Sequence, residues 1–154
     1  MNASPTSGAE ALDIVIFGAA GDLSFRKLLP ALYMAFQHGS LPPQTRIVCV
    51  GRQAWRDADY HAFVSEKSMP FIAEEARCAE DWQRFLGVLH FVSLDASDAS
   101  RYGALKAVCE RSCLRVFYLA TAPSLFTAIC AHLHGAGLID ARARVVLEKP
   151  LGTD

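Results

Sequence analysis

No run in this sequence is apolar for long enough to cross a bilayer; stretches such as Val145–Leu147 are short, and the longest helical candidates carry charges or histidines. Neither sign of charge dominates, since 15 Lys and Arg stand against 16 Asp and Glu. Steering by net charge toward nucleic acid or an anionic membrane is therefore not expected. The opening MNASPTSGAEALD has no basic start and no apolar centre, so residues 1–11 read as a flexible tail rather than a secretion signal. A soluble, cytoplasmic protein is the expectation.

Patterns for metals and nucleophiles are also scarce. The five cysteines, at 49, 78, 109, 113 and 130, lack the close paired spacing of a zinc ribbon or a disulfide-stapled module. Cys109 and Cys113, four apart, could share a helix face as a metal pair, but two buried thiols are the plainer reading. His132 and His134, two apart near a helix end, cannot share a face, and a helix-end role suits them better than a metal. No Ser/His/Asp arrangement or paired carboxylates stand out. Any chemistry is then carried by a cofactor.

What the chain does have is order. Its 154 residues suit one domain with a real core. Short, continuously apolar strands are predicted at Leu12–Phe17, Arg46–Gly51, Leu89–Leu94, Leu114–Ala120 and Ala143–Glu148. Helical spacing fills the intervals at Leu28–Gln37, Asp57–Lys67, Pro70–Leu86, Ser97–Arg111 and Ser124–His134. Strands without alternation are buried on both faces, and strand–helix alternation gives a doubly wound α/β domain with a parallel sheet and right-handed crossovers. Pro30 either follows a preliminary turn over Asp22–Lys27 or kinks the first helix; both place Lys27 near the mouth of the preceding turn.

That turn lies in IVIFGAAGDLSFRKLL, Ile14–Leu29, where a strand stops at Gly18 and a helix opens after Gly21. Glycines permit backbone angles and close approaches that a Cβ forbids, and a strand–turn–helix junction is where N–H groups meet a phosphate. The spacing is G-x-x-G, with Ser24 where a third dinucleotide-binding glycine would stand, so a plain tight turn remains the alternative. At the end of the second strand, GRQ places Arg52 where NAD-binding domains usually carry an acid. A guanidinium there suits a 2′-phosphate, or is an exposed loop arginine. SLDASD, Ser93–Asp98, could flank an adenine, with Asp98 capping the next helix. YLATAPSLF, Tyr118–Phe126, suits a loop against a flat ring, and EKP, Glu148–Pro150, ends the fifth strand where ligands of parallel sheets bind.

Taken in order, FGAAGDLSFRKLLPALY, VGRQ, FYLATAPSLF and VVLEKPLGTD resemble the glucose-6-phosphate dehydrogenase family, from about Ile14 to the last residue. The resemblance implies a Rossmann-type domain over residues 12–154 that binds NADP. The parent enzyme would oxidise glucose 6-phosphate to the lactone in the oxidative pentose phosphate pathway, as a homo-oligomer. It further implies that Gly18, Ala19, Ala20, Gly21, Asp22, Leu23, Ser24 and Phe25 wrap the pyrophosphate and that Arg52 holds the 2′-phosphate. Asp95 and Ala96 would lie by the adenosine, and Lys149 would touch both cofactor and sugar phosphate. Gln53 and Phe126 are weaker contacts.

Two positions depart from the family pattern: Ala20 replaces a usual serine or threonine, and Phe25 a usual basic residue. The family's catalytic histidine and its aspartate lie beyond EKP and match no position here, so this chain alone is expected to bind cofactor without turnover. The competing readings are an enzyme of the inositol dehydrogenase and glucose-fructose oxidoreductase kind, which usually shows three glycines, and a non-catalytic NADP-sensing module.

Overall fold

The computed structural model describes residues 11–109 and 114–147. Five parallel strands form one sheet in the order β3-β2-β1-β4-β5: β1 is Leu12–Phe17, β2 Thr45–Gly51, β3 Leu89–Ser93, β4 Leu114–Leu119 and β5 Ala143–Leu147. Each expected strand is present to within a residue at either end. For the central strands the reason is burial: Val15, Ile16, Phe17, Ile47, Val48 and Cys49 are wholly shielded, because helices cover both faces; the edge strand β5 departs from this expectation, with Val145, Val146 and Leu147 exposed.

One core lies between the sheet and the helices α1 (Leu29–Gln37), α2 (Asp57–Ser68) and α3 (Ala79–Leu86), and is filled by Ile14, Ile16, Tyr33, Tyr60, Trp82 and Phe85. The other, beneath α4 (Tyr102–Val108) and α5 (Phe126–Gly135), takes Val15, Phe17, Phe117, Tyr102, Leu105 and Leu133. Alternate residues of β1 thus feed opposite cores, as a two-residue side-chain period requires.

Helices differ more from expectation. Pro70–Leu86 is not one helix: short turns at Met69–Phe71 and Glu74–Ala76 precede α3. The backbone is extended at Ile72, Arg77 and Cys78, which lets Ile72 and Ala76 reach the core from a folded-back loop rather than a helix face. Ser97–Arg111 likewise shrinks to α4 after a turn at Ala99–Arg101. Asp98 caps that turn, accepting from the Ser100 N–H. Such side-chain bonds to nearby N–H groups compete with helix at Asp and Ser positions.

At Pro30 the structure fits neither alternative alone: the backbone is helical from Asp22 into α1, with a widened turn over Ser24–Leu28 in which the Leu29 N–H reaches back five residues to the Ser24 carbonyl. Pro30 then sits in the first turn of α1, where no N–H is needed. Of the cysteines, Cys49 and Cys109 are buried free thiols; Cys113, the tail to residue 10 and Glu148–Pro150 lie outside the described residues.

The amino ends of the strands carry a buried ionic clamp. Register sets Asp13 between Arg46 and Arg115. Asp13, fully buried, accepts from Arg46 Nε at 3.0 Å and Nη2 at 2.9 Å, and Arg115 Nε lies 3.8 Å away. The guanidiniums also donate to the last carbonyls around α4, Arg46 to Val108 at 2.9 Å and Arg115 to Cys109 at 2.6 Å. Two cations at a helix C-terminus satisfy carbonyls and oppose the dipole's negative end. Asp13→Ala leaves both arginines without their shared anion and is expected to cost about 3–5 kcal/mol in urea denaturation. A cost below about 1 kcal/mol would contradict the clamp.

Candidate functional site

β1 is central, and its crossover partners lie on opposite sides, β2 to one and β4 to the other. The strand order therefore reverses between β1 and β4, and ligands of open parallel sheets bind at the carboxyl ends beside such a reversal. There the chain leaves β1 through Gly18, whose φ of 82° is closed to most side chains. A Cβ at Gly18 would also meet the Ala120 carbonyl oxygen at 2.8 Å, so β4 leaves no room for one. The N–H groups of Gly18 and Ala19 both donate to Val50 O, at 3.1 and 3.0 Å, tying the turn to β2.

The turn closes on itself: Gly21 N–H donates to Gly18 O at 3.0 Å, and Ser24 Oγ to the same oxygen at 2.8 Å. Among the described residues, the N–H groups of Ala20, Asp22 and Leu23 donate to no backbone carbonyl. Unpaired N–H groups at the opening of a helical segment are the donors that hold an anion.

Of these three residues, Ala20 borders a cleft of about 390 Å³. Gly18, Ala20 and Gly21 form one wall, Gly51, Arg52 and Gln53 a second, and Leu94, Asp95, Ala96 and Ser97 a third; Thr121 and Leu125 close the β4 side. A Cβ at Gly51 would lie 2.7 Å from Oε1 of the exposed Gln53 side chain, which can swing aside, and 3.1 Å from the Phe91 ring. Asp95 accepts from the Ser97 hydroxyl at 2.7 Å and the Ser97 N–H at 3.0 Å. Those two bonds, with the field of Arg52 added, hold its carboxyl below the ordinary aspartate value.

Seven expected site residues thus line one cleft: Gly18, Ala20, Gly21, Arg52, Gln53, Asp95 and Ala96. Others of the turn support it from outside. Ala19 and Ser24 are buried beneath it, and Leu23 is half-buried. Asp22 is exposed and paired with Arg26 at 3.2 Å. Phe25 packs edge-on to Phe63, with ring centroids 5.9 Å apart, and against Phe71 at 6.5 Å, so the apolar departure there is absorbed by an aromatic cluster. Neither member of the basic pair lines the cleft: Arg26 stacks over Phe71 at 4.9 Å, and Lys27 is exposed. Phe126 packs against the second core instead, and Lys149 lies outside the described residues. Ser97, Thr121 and Leu125 also line the cleft from within the SLDASD and YLATAPSLF loops, but no charge or glycine marks them in the sequence.

The family model for the glucose-6-phosphate dehydrogenase NAD-binding domain matches residues 15–154. The chain belongs to this family. The glucose-6-phosphate 1-dehydrogenase of Mycolicibacterium smegmatis is 41% identical over 160 residues, covering 100% of this chain and 32% of that protein. The Dickeya dadantii enzyme is 41% identical, covering 97% and 30%. Among solved structures, glucose-6-phosphate 1-dehydrogenase from Mycobacterium avium superposes with a TM-score of 0.83 at 29% identity, over 95% of this chain and 31% of that one. A glucose-6-phosphate dehydrogenase in complex with its substrate glucose 6-phosphate gives 0.78 at 31% identity, over 94% and 31%. The chain spans about a third of the length of the curated relatives it matches. Family membership sets aside the inositol dehydrogenase alternative.

Gly18→Ala and Gly39→Ala separate the two demands on the turn of this NAD-binding domain. Both glycines have positive φ, 82° and 73°, but a Cβ at Gly39 meets nothing within 4 Å. Gly39→Ala is expected to cost about 1 kcal/mol, and Gly18→Ala at least about 1 kcal/mol more, in urea denaturation. Equal costs would show that Ala120 does not confine the turn.

Proposed function

We propose that the cleft binds NADP and that residues 12–154 form the dinucleotide-binding part of an enzyme oxidising glucose 6-phosphate at its anomeric carbon to the lactone. The observation that carries this reading is one cleft shared by Arg52 and the glycine turn, whose Gly18, Ala20 and Gly21 line it and whose Ala20 N–H has no backbone acceptor among the described residues. The turn offers main-chain donors to a diphosphate without a side chain in the way, and Arg52, one strand over, offers a planar fork to a 2′-phosphate. The absence of a hydroxyl at Ala20 leaves main-chain N–H groups as the donors at that point of the turn.

Asp95 and Ala96, at the exit of β3, are the wall we assign to the adenosine. Bound there, NADP supplies a hydride acceptor. The chain's own task is to hold its phosphates and aim the remainder past Thr121 toward the end of β5, where Lys149 is proposed to meet both cofactor and sugar phosphate. The sugar hydroxyl must also lose a proton to a base of suitable pKa. Among the described residues no histidine lines the cleft, so that base is proposed to come from outside it.

Calorimetric titration of the purified protein with NADP and then NAD tests the reading, with saturable and tighter NADP binding expected. Arg52→Ala is expected to weaken NADP by about 1.5–3 kcal/mol while leaving NAD nearly unchanged. Equal losses for both cofactors would contradict the assignment of Arg52 to the 2′-phosphate.

A further inference from the structure

Beneath the glycine turn lies Tyr60, in the first turn of α2 and fully buried. Its ring packs with Trp55, Phe63 and Phe91, at centroid distances of 6.3, 6.2 and 5.1 Å. Aromatic packing of that kind needs no hydroxyl. The hydroxyl instead donates to the Ala19 carbonyl oxygen at 2.8 Å, across 41 residues of sequence.

A trans peptide unit points its C=O and the next N–H in opposite directions, and the described chain has no cis peptide. With the Ala19 oxygen held inward by Tyr60, the Ala20 N–H of the same unit is turned outward, toward the cleft that Ala20 lines. That N–H is one of those with no backbone acceptor among the described residues. Two serine hydroxyls draw other carbonyls of the segment inward: Ser24 Oγ takes Gly18 O and Ser68 Oγ takes Phe25 O, each at 2.8 Å. A carbonyl facing the cleft would repel an anion; each of these oxygens is engaged by a hydroxyl of the protein.

We infer that Tyr60 is a positioning residue whose hydroxyl orients the Ala19–Ala20 peptide so that its N–H faces the diphosphate of the cofactor. This rests on the NADP reading of the cleft. Burial, with the Cys49 sulfur alongside, pushes the Tyr60 phenol well above its ordinary value, so it remains a donor at every working pH.

Tyr60→Phe keeps the ring and removes the donor. Titrated with NADP and with 2′-AMP, which carries the 2′-phosphate but no diphosphate, the variant is expected to bind NADP about fivefold more weakly and 2′-AMP as the wild type does. Parallel losses for both ligands would mean general loosening and overturn the role. Wild type that binds both, with a variant that matches it, overturns the role of Tyr60 alone. Wild type that binds neither overturns the cofactor reading and this inference with it. Should the variant fail to fold, the Ala20 amide resonance of the wild type decides: NADP shifts it and 2′-AMP does not, and a resonance indifferent to NADP overturns the inference.

Discussion

The site depends on how the chain leaves the centre of the sheet. β1 is hydrogen-bonded on both sides, and its exit is pinned to both neighbours: Val50 O takes two N–H groups from the turn, while Ala120 N–H donates to Phe17 O at 2.9 Å. Between those anchors the backbone must reverse at Gly18 against the Ala120 carbonyl, and no residue with a Cβ fits that geometry. The same confinement that closes the fold at this point leaves the N–H groups of Ala20, Asp22 and Leu23 without backbone acceptors among the described residues. Fold and candidate site are two uses of one turn.

The two ends of the sheet are built for different work. At the amino ends, Asp13 and its arginines bury charge and bind the strands to the end of α4 in dense contact. At the carboxyl ends, Arg52, Gln53, Asp95 and Ser97 are exposed around an open cleft and contribute little to the two cores. A charge held inside must be paired at cost, whereas a charge kept at the cleft is available to a ligand. Stability is concentrated away from the residues that must stay free to bind.

The central strands are legible because burial on both faces writes an unbroken apolar run, and Leu12–Phe17 matches to the residue; β5 carries an equally apolar run at the sheet edge, where Val145–Leu147 are exposed. The Pro70–Leu86 segment was not, because Ile72 and Ala76 are apolar anchors of a folded-back loop whose spacing imitates a helix. Within the cleft, Gly18, Arg52 and Asp95 could be read at the ends of strands, where a glycine or a charge interrupts hydrophobic sequence. Phe25 and Ser24 belong to the motif expected to wrap the pyrophosphate; their side chains face an aromatic cluster and the Gly18 carbonyl, which their place in the motif does not reveal. Tyr60 left no mark at all. Its contact with Ala19 spans α2 and the turn, and only the packing of one on the other brings them together.

The most direct measurement is the map of backbone amide resonances that move as NADP is added to the purified protein. Shifts are expected to concentrate at Gly18–Leu23, Arg52–Gln53, Asp95–Ser97 and Thr121, with the amino ends of the strands around Asp13 and Arg46 unmoved. Shifts centred instead on the groove between α4 and α5, lined by Gly103, Lys106 and His132, would contradict the placement of the site at the carboxyl ends of the sheet.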